Sequence, residues 1–207
     1  MHDVRGPIQA MGLVGDLVDQ GDTLDPGLRD TLYNATGRLR DLLELLDRVL
    51  RPARPGEPEP IALRPVLEHV AAIHAARHSP IDLDAGATLA ATLPAVRGAE
   101  DALTHALLNL LLNAHEALAG GSGRAIRLTA ETAASGQTVA LVMDDDGPGV
   151  AAAVRDRLFQ PFVTTKQGHP LAGLGLAVAR ELLEEFGGTV RWDGGSRFRV
   201  ELEVWRR

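Results

Sequence analysis

The chain of 207 residues contains no cysteine. That excludes disulfides, thiolate metal sites and a cysteine nucleophile, and it suits a reducing compartment. No apolar run approaches the ~20 residues that cross a bilayer, and the N-terminus carries no signal-peptide core. The chain therefore reads as cytoplasmic in character. Positive charge is not concentrated either: 21 Lys and Arg stand against 28 Asp and Glu, for a net charge of −7. No stretch reaches the Lys/Arg density that binding a phosphate backbone requires, which argues against nucleic acid as a partner. What the chain does hold is 45% hydrophobic residues, ample for a buried core in one large domain or two modest ones.

Hydrophobic spacing divides the chain. Leu28, Leu32, Ala35, Leu39, Leu42, Leu46 and Val49 form a heptad seam, which predicts a long helix packed in a bundle. Val4, Ile8, Met11, Val14 and Val18 stripe a shorter helix before it, and Asp25 and Pro26 suit the N-cap and first position of the second helix. Residues 1–51 read as a helical hairpin that dimerises into a four-helix bundle, the alternative being that it docks on its own C-terminal domain. Pro52, Pro55, Pro58 and Pro60 mark residues 52–60 as a semi-rigid linker. Over 61–207 the pattern predicts helices at 64–77, 99–120 and 176–188, paired strands at 124–133 and 137–145 turning at Ser135 and Gly136, and a closing hairpin over 190–204. The expected fold class is α+β: the hairpin, then a two-layer α/β sandwich with helices on one face of a sheet.

Several stretches in the second part carry chemistry. In VMDDDGPGV, Asp145 leaves a strand and is followed by Gly147 and Gly149. Glycines there let backbone approach a ligand, and a carboxylate at a strand end can accept from a ligand amine. Asn109 and Asn113 lie one turn apart on one helix face and offer carbonyl oxygens to a hard cation such as Mg²⁺ carrying phosphates. Gly173 and Gly175 precede a helix whose free N–H groups and dipole favour phosphate. Between these stretches lies FQPFVTTK, with Thr164, Thr165 and Lys166. Of the histidines, His74 and His78 have metal-compatible spacing one turn beyond His69, but no carboxylate completes a set. They read as a solvated helix face, and His105 and His115 as rim or surface residues. His169 falls in the segment that would cover phosphates.

In this order and at these distances, the set resembles the N, G1, F and G2 boxes of the ATP-binding domain of sensor histidine kinases. By that resemblance Asn113 would hold Mg²⁺ with Asn109 in support, and Asp145 would read the adenine amine. Gly147 and Gly149 would shape the base pocket, Phe159 and Phe162 would hinge a lid, and Gly173 and Gly175 would wrap the phosphates of ATP. Thr165 and Lys166 would join the nucleotide site. Gly187, Gly188 and the final strands resemble the closing segment, with Ser196 where a Thr is common. The opening HDVRGP is similar to the phosphoacceptor box, which makes His2 the nucleophile and Asp3 its base. The function implied is that of an ATP-dependent protein histidine kinase: a homodimer that phosphorylates His2 and passes the group to an aspartate of a response-regulator receiver domain.

Departures from the pattern set further expectations. Leu171 and Ala172 replace the first two members of the G2 box, which would weaken ATP binding unless Gly168 substitutes. That departure supports a rival reading, a phosphotransfer or scaffold protein with little ATP turnover. A weaker rival is another ATPase of this nucleotide fold, such as a serine kinase of the anti-sigma type or a chaperone-like or repair ATPase, none of which needs the HDxRxP hairpin. Gly6 stands where bifunctional members carry a Thr or Asn thought to orient water, so phosphatase activity is expected to be weak. Only Met1 precedes His2, and a helix end leaves its first N–H groups without intrahelical partners, so the chain is expected to be the cytoplasmic part of a longer sensor kinase, the alternative being a short stand-alone form ordered only by the dimer.

Overall fold

A computed structural model describes residues 58–76, 80–119, 121, 123–165 and 173–206. The hairpin and most of the proline-rich segment lie outside the described residues, as do His2, Asp3, Gly6, His78, Lys166, Gly168, His169, Leu171 and Ala172.

In chain order the elements are β1 (Glu59–Ile61), α1 (Leu63–Ala76), β2 (Asp82–Asp84), α2 (Gly86–Ala90), β3 (Val96–Gly98), α3 (Glu100–Leu118), β4 (Ala125–Thr132), β5 (Thr138–Asp145), a 3₁₀ turn (Ala152–Arg157), α4 (Gly175–Glu184), β6 (Thr189–Gly194) and β7 (Arg197–Glu203). Five strands form one sheet in the order β2-β4-β5-β7-β6, and β1 pairs with β3 in a second, two-stranded sheet. The β2 to β4 pair is parallel and its neighbours are antiparallel.

The strand pleat sorts residues to the two faces of the sheet. Ile126 and Leu128 of β4, Val139, Leu141 and Met143 of β5, and Phe198, Val200 and Leu202 of β7 point to one side and are buried. Leu63, Val66, Leu67 and Val70 repeat at helical spacing along α1, and with Leu103, Leu107, Leu110 and Leu111 of α3 and Val178, Leu182 and Leu183 of α4 they enter the same core. Helices thus cover one face of the sheet, as the composition of these segments predicts.

The other face carries charge. Arg199 reaches Glu131 at 3.5 Å and also pairs with Asp193, Arg191 bridges Asp193 and Glu201 at 3.0 Å each, and Arg197 holds Asp144 at 2.8 Å. Cross-strand pairs of opposite charge let this face stay in water and fix strand register. The β5 to β7 register sets Met143 opposite Phe198 on the core side, which leaves Asp144 beside Arg197 on the open side. Each exposed pair adds little stability alone.

Two expectations need correction. Glu59 and Pro60, expected in the linker, form β1 and pair with Gly98 and Arg97. A proline is tolerated there because an edge strand does not need its missing donor. His105 and His115, expected at the surface, are 7% and 5% exposed. His115 turns toward α1, where its Nε2 meets His74 Nδ1 at 3.0 Å, one imidazole donating to the other. A hydrogen-bonded polar pair can be buried at little cost.

Candidate functional site

The three consecutive aspartates at the end of β5 separate to three destinations. Asp144 turns outward to Arg197. Asp146 folds back so that one carboxylate oxygen accepts the Ala125 N–H at 2.9 Å. Asp145 follows Val139, Leu141 and Met143 onto the core side of the pleat, where the strand runs out and a cleft of about 450 Å³ begins.

One oxygen of Asp145 accepts the Gly147 N–H at 3.0 Å. A Cβ at position 147 would sit 2.6 Å from that oxygen and 3.1 Å from Leu118, so any side chain there would push the Asp145 carboxylate aside. The Ser196 hydroxyl lies nearby, 3.4 Å from the Gly147 carbonyl. Burial raises the Asp145 carboxyl above the ordinary aspartate value; the Gly147 N–H and Ser196 hydroxyl oppose this, and the charges of Asp144 and Asp146 add to it. A half-buried carboxylate with one oxygen occupied can accept from a planar amine entering the cleft.

The long helix α3 supplies the facing wall. Asn109, Leu112, Asn113, Glu116 and Ala117 line the cleft, while Leu107, Leu110, Leu111 and Ala114 face the core. Asn109 is buried and its Nδ2 has no hydrogen-bond partner in the protein, a cost that a bound polar group would relieve. Among the described residues no cluster of three or more His, Asp or Glu could hold a metal unaided. Two amide oxygens with a nearby carboxylate nevertheless suit a hard cation that arrives with its own oxygen ligands, so the donor set fits magnesium carried on phosphates.

The rest of the mouth is glycine and threonine. Gly149 adopts a left-handed φ of +74°, and a Cβ there would stand 2.8 Å from the Gly195 carbonyl oxygen. Gly173, with φ +84°, leaves a Cβ no room beside the Val163 carbonyl, 2.5 Å away. Gly175 opens α4 without a side-chain cap, so the first N–H groups of that helix lack intrahelical partners and favour an anion. Thr164 and Thr165 complete the lining.

Phe159 and Phe162, expected to act alike as hinges, are placed differently. Phe159 packs edge-on against Phe198, ring centroids 6.5 Å apart, and so anchors the segment to the core. Phe162 is 52% exposed and holds a φ of 65°, a rare conformation for a bulky residue. Its N–H donates to the Gly173 carbonyl at 3.0 Å, which ties together the two ends of the segment 166–172.

The structure thus brings Asn109, Asn113, Asp145, Gly149, Thr165, Gly173 and Gly175 to one cleft, with Gly147 and Ser196 bracing it. Glu116 and the apolar wall of Val150, Ala151, Val154 and Leu158 also line the cleft, though no motif marks them. The helical spacing of Glu116 from Asn113 could have found the first, but the wall is made by an irregular turn that has no periodic signal.

A mixed sheet backed by helices, with a glycine-rimmed and oxygen-lined cleft where a central strand ends, defines a two-layer sandwich of the ATP-binding class. Residues 98–206 match the sequence profile of the histidine kinase-, DNA gyrase B- and HSP90-like ATPases, and the chain belongs to that family. It is 30% identical to the sensory histidine kinase/phosphatase NtrB of Rhodobacter capsulatus, over 98% of this chain and 60% of that protein. It is 42% identical to the C4-dicarboxylate transport sensor protein DctB of Rhizobium meliloti, over 49% of this chain and 16% of that protein. Among solved structures, full-length ShkA in complex with AMPPNP superposes with a TM-score of 0.57 at 26% identity, over 96% of this chain and 45% of that one. The chain spans three fifths or less of the length of these relatives. No helix among the described residues is long and apolar enough to cross a membrane.

The raised Asp145 carboxyl has a consequence for stability. The folded protein keeps the Asp145 proton to higher pH than the unfolded chain does, so the unfolded state binds fewer protons as pH rises from about 4. Asp145 therefore subtracts stability across that window, and the loss is complete above the folded value. Asp145→Asn, which keeps an acceptor for Gly147, is expected to melt at a higher temperature than the wild type at pH 7 without ligand. The difference shrinks toward zero as pH approaches 4; melting curves from pH 4 to 8 measure it.

Proposed function

We propose that the chain is the ATP-dependent core of a protein histidine kinase that phosphorylates its own His2 and passes the phosphoryl group to an aspartate of a response-regulator receiver domain. The observation that carries this reading is the convergence on one cleft of Asp145, Asn109, Asn113 and the glycines at 149, 173 and 175. The sensor-kinase relatives, and the ATP analogue named in the ShkA complex, support it.

In this reading Asp145 accepts the adenine amine, and Gly147 and Gly149 let the backbone lie flat against the base. The Asn109 amide and the first N–H groups of α4, with Thr165 and Lys166, meet the phosphates, and the Asn113 oxygen would hold magnesium. When bound, magnesium neutralises phosphate charge as the transferred group develops it. The residues of the chain do the rest by positioning. A ring nitrogen of His2 attacks the γ-phosphorus, the bond to the bridging oxygen breaks and ADP leaves, while Asp3 takes the proton from the other ring nitrogen. A homodimer of the hairpin over 1–51 presents His2, and the proline-rich segment sets the reach of the cleft toward it.

The replacement of two G2-box members by Leu171 and Ala172 favours a second reading, a phosphotransfer or scaffold protein with little ATP turnover. Incubation with γ-labelled ATP and magnesium separates the two. The kinase reading predicts label on the protein that acid releases and base preserves, absent in His2→Gln. Nucleotide binding without label would support the relay, and label persisting in His2→Gln would remove His2 from the reaction.

The glycine at position 6 also bears on the reverse activity. Wild-type protein is expected to dephosphorylate its regulator slowly, because Gly6 offers no side chain to orient water. Gly6→Asn is expected to speed regulator dephosphorylation by ~10-fold or more, within the range of one positioned group. Fast dephosphorylation by the unmodified protein would contradict this.

A further inference from the structure

The turn between β6 and β7 grips the cleft from behind through two residues that do not line it. The Gly195 carbonyl accepts the Val150 N–H at 3.0 Å and the Trp192 indole N–H, also at 3.0 Å. The Arg155 guanidinium donates through Nε to the Val150 carbonyl at 3.1 Å, and its central carbon lies 5.2 Å from the centroid of the Trp192 ring, in cation–π range. The contacts close a circuit that runs Val150, Gly195, Trp192, Arg155 and back to Val150.

What the circuit holds is the apolar wall beside Asp145. Gly149, Val150, Ala151 and Val154 line the cleft, whereas Trp192 and Arg155 stand outside it. The segment leaves β5 through Asp145, Gly147 and Gly149, so without outside contacts it has many backbone conformations to lose on binding a ligand. Gly194 and Gly195, with φ of +101° and +58°, turn the hairpin tightly enough for one carbonyl to receive both N–H groups. The same turn carries Ser196, whose hydroxyl reaches the Gly147 carbonyl, so the hairpin touches the segment at both ends.

We propose that Trp192 and Arg155 are positioning residues for the base-binding end of the cleft: they hold residues 149–154 against the β6–β7 turn in the conformation that receives a purine. The proposal rests on the reading of the cleft as a nucleotide site. Preordering of this kind raises affinity because the ligand need not select a minor conformation of the wall. It acts on the base and not on the phosphates, because the fastened residues 149–154 follow directly from Asp145, the residue read as the acceptor for the base.

Calorimetry with adenosine, ADP and ATP, alongside ligand-free melting, tests the proposal. Trp192→Ala is expected to raise the Kd for all three by a similar ~10-fold, and Trp192→Phe, which keeps a smaller aromatic ring under Arg155 and loses the N–H, by ~3-fold. Ligand-free melting temperatures are expected to stay within about 5 °C of the wild type. Should Trp192→Ala fail to fold, Trp192→Phe and Arg155→Lys carry the test, each with a weakened and equal effect on the three ligands. Wild-type binding with all folded variants within about twofold overturns the proposal, as does a loss confined to ADP and ATP. Absence of binding of any of the three to the wild type overturns the nucleotide reading itself, and the proposal with it.

Discussion

The N–H of Gly147 donating to the Asp145 carboxylate is the contact on which the cleft depends. It turns the chain out of the central strand immediately after a carboxylate that the pleat has placed on the core side. Without it, the carboxylate would be a half-buried charge with no fixed direction. With it, one oxygen is held, and the hydrogen bond offsets part of the upward shift that burial imposes on the carboxyl. A site that keeps a charge partly out of water gains most when a ligand donor replaces the lost solvent.

The rest of the fold positions that contact. The core side of β5 is packed by α3, which brings Asn109 and Asn113 to face Asp145 on a rigid scaffold. The open side of the sheet is held in register by the charge pairs of Arg191, Arg197 and Arg199, and register decides which of the three aspartates faces the cleft. A slip by one residue would send Asp145 to solvent and bring Asp144 inward. The β6–β7 turn then fastens the irregular segment after Gly149, where no ladder of backbone bonds can do so.

Much of this was legible in the sequence because it rests on short-range rules. The spacing of Asn109 and Asn113 puts both on one side of a helix, an aspartate followed by alternate glycines marks a strand end that turns sharply, and glycines before a helix mark where α4 opens at the cleft. The less legible parts depend on partners distant in sequence. His115 reads as surface until His74 arrives from another helix to pair with it. Glu59 and Pro60 read as linker because proline dominates the local pattern, while the strand exists only through β3. Trp192 and Arg155 carry no motif; their meaning comes from the Gly195 and Val150 carbonyls between them. Phe159 and Phe162 look equivalent in sequence and differ because only one finds Phe198.

The account stands on Asp145 reading a donor on the purine, and a thermodynamic cycle between residue and ligand tests it most directly. The affinities of ATP and of the purine ribonucleoside triphosphate lacking the 6-amino group are measured for the wild type and for Asp145→Ala. Removing the amine is expected to weaken binding to the wild type by ~10-fold or more and to change binding to the variant by less than about threefold, because each partner is worth little without the other. Losses that simply add, so that the amine matters equally with and without the carboxylate, would contradict the account.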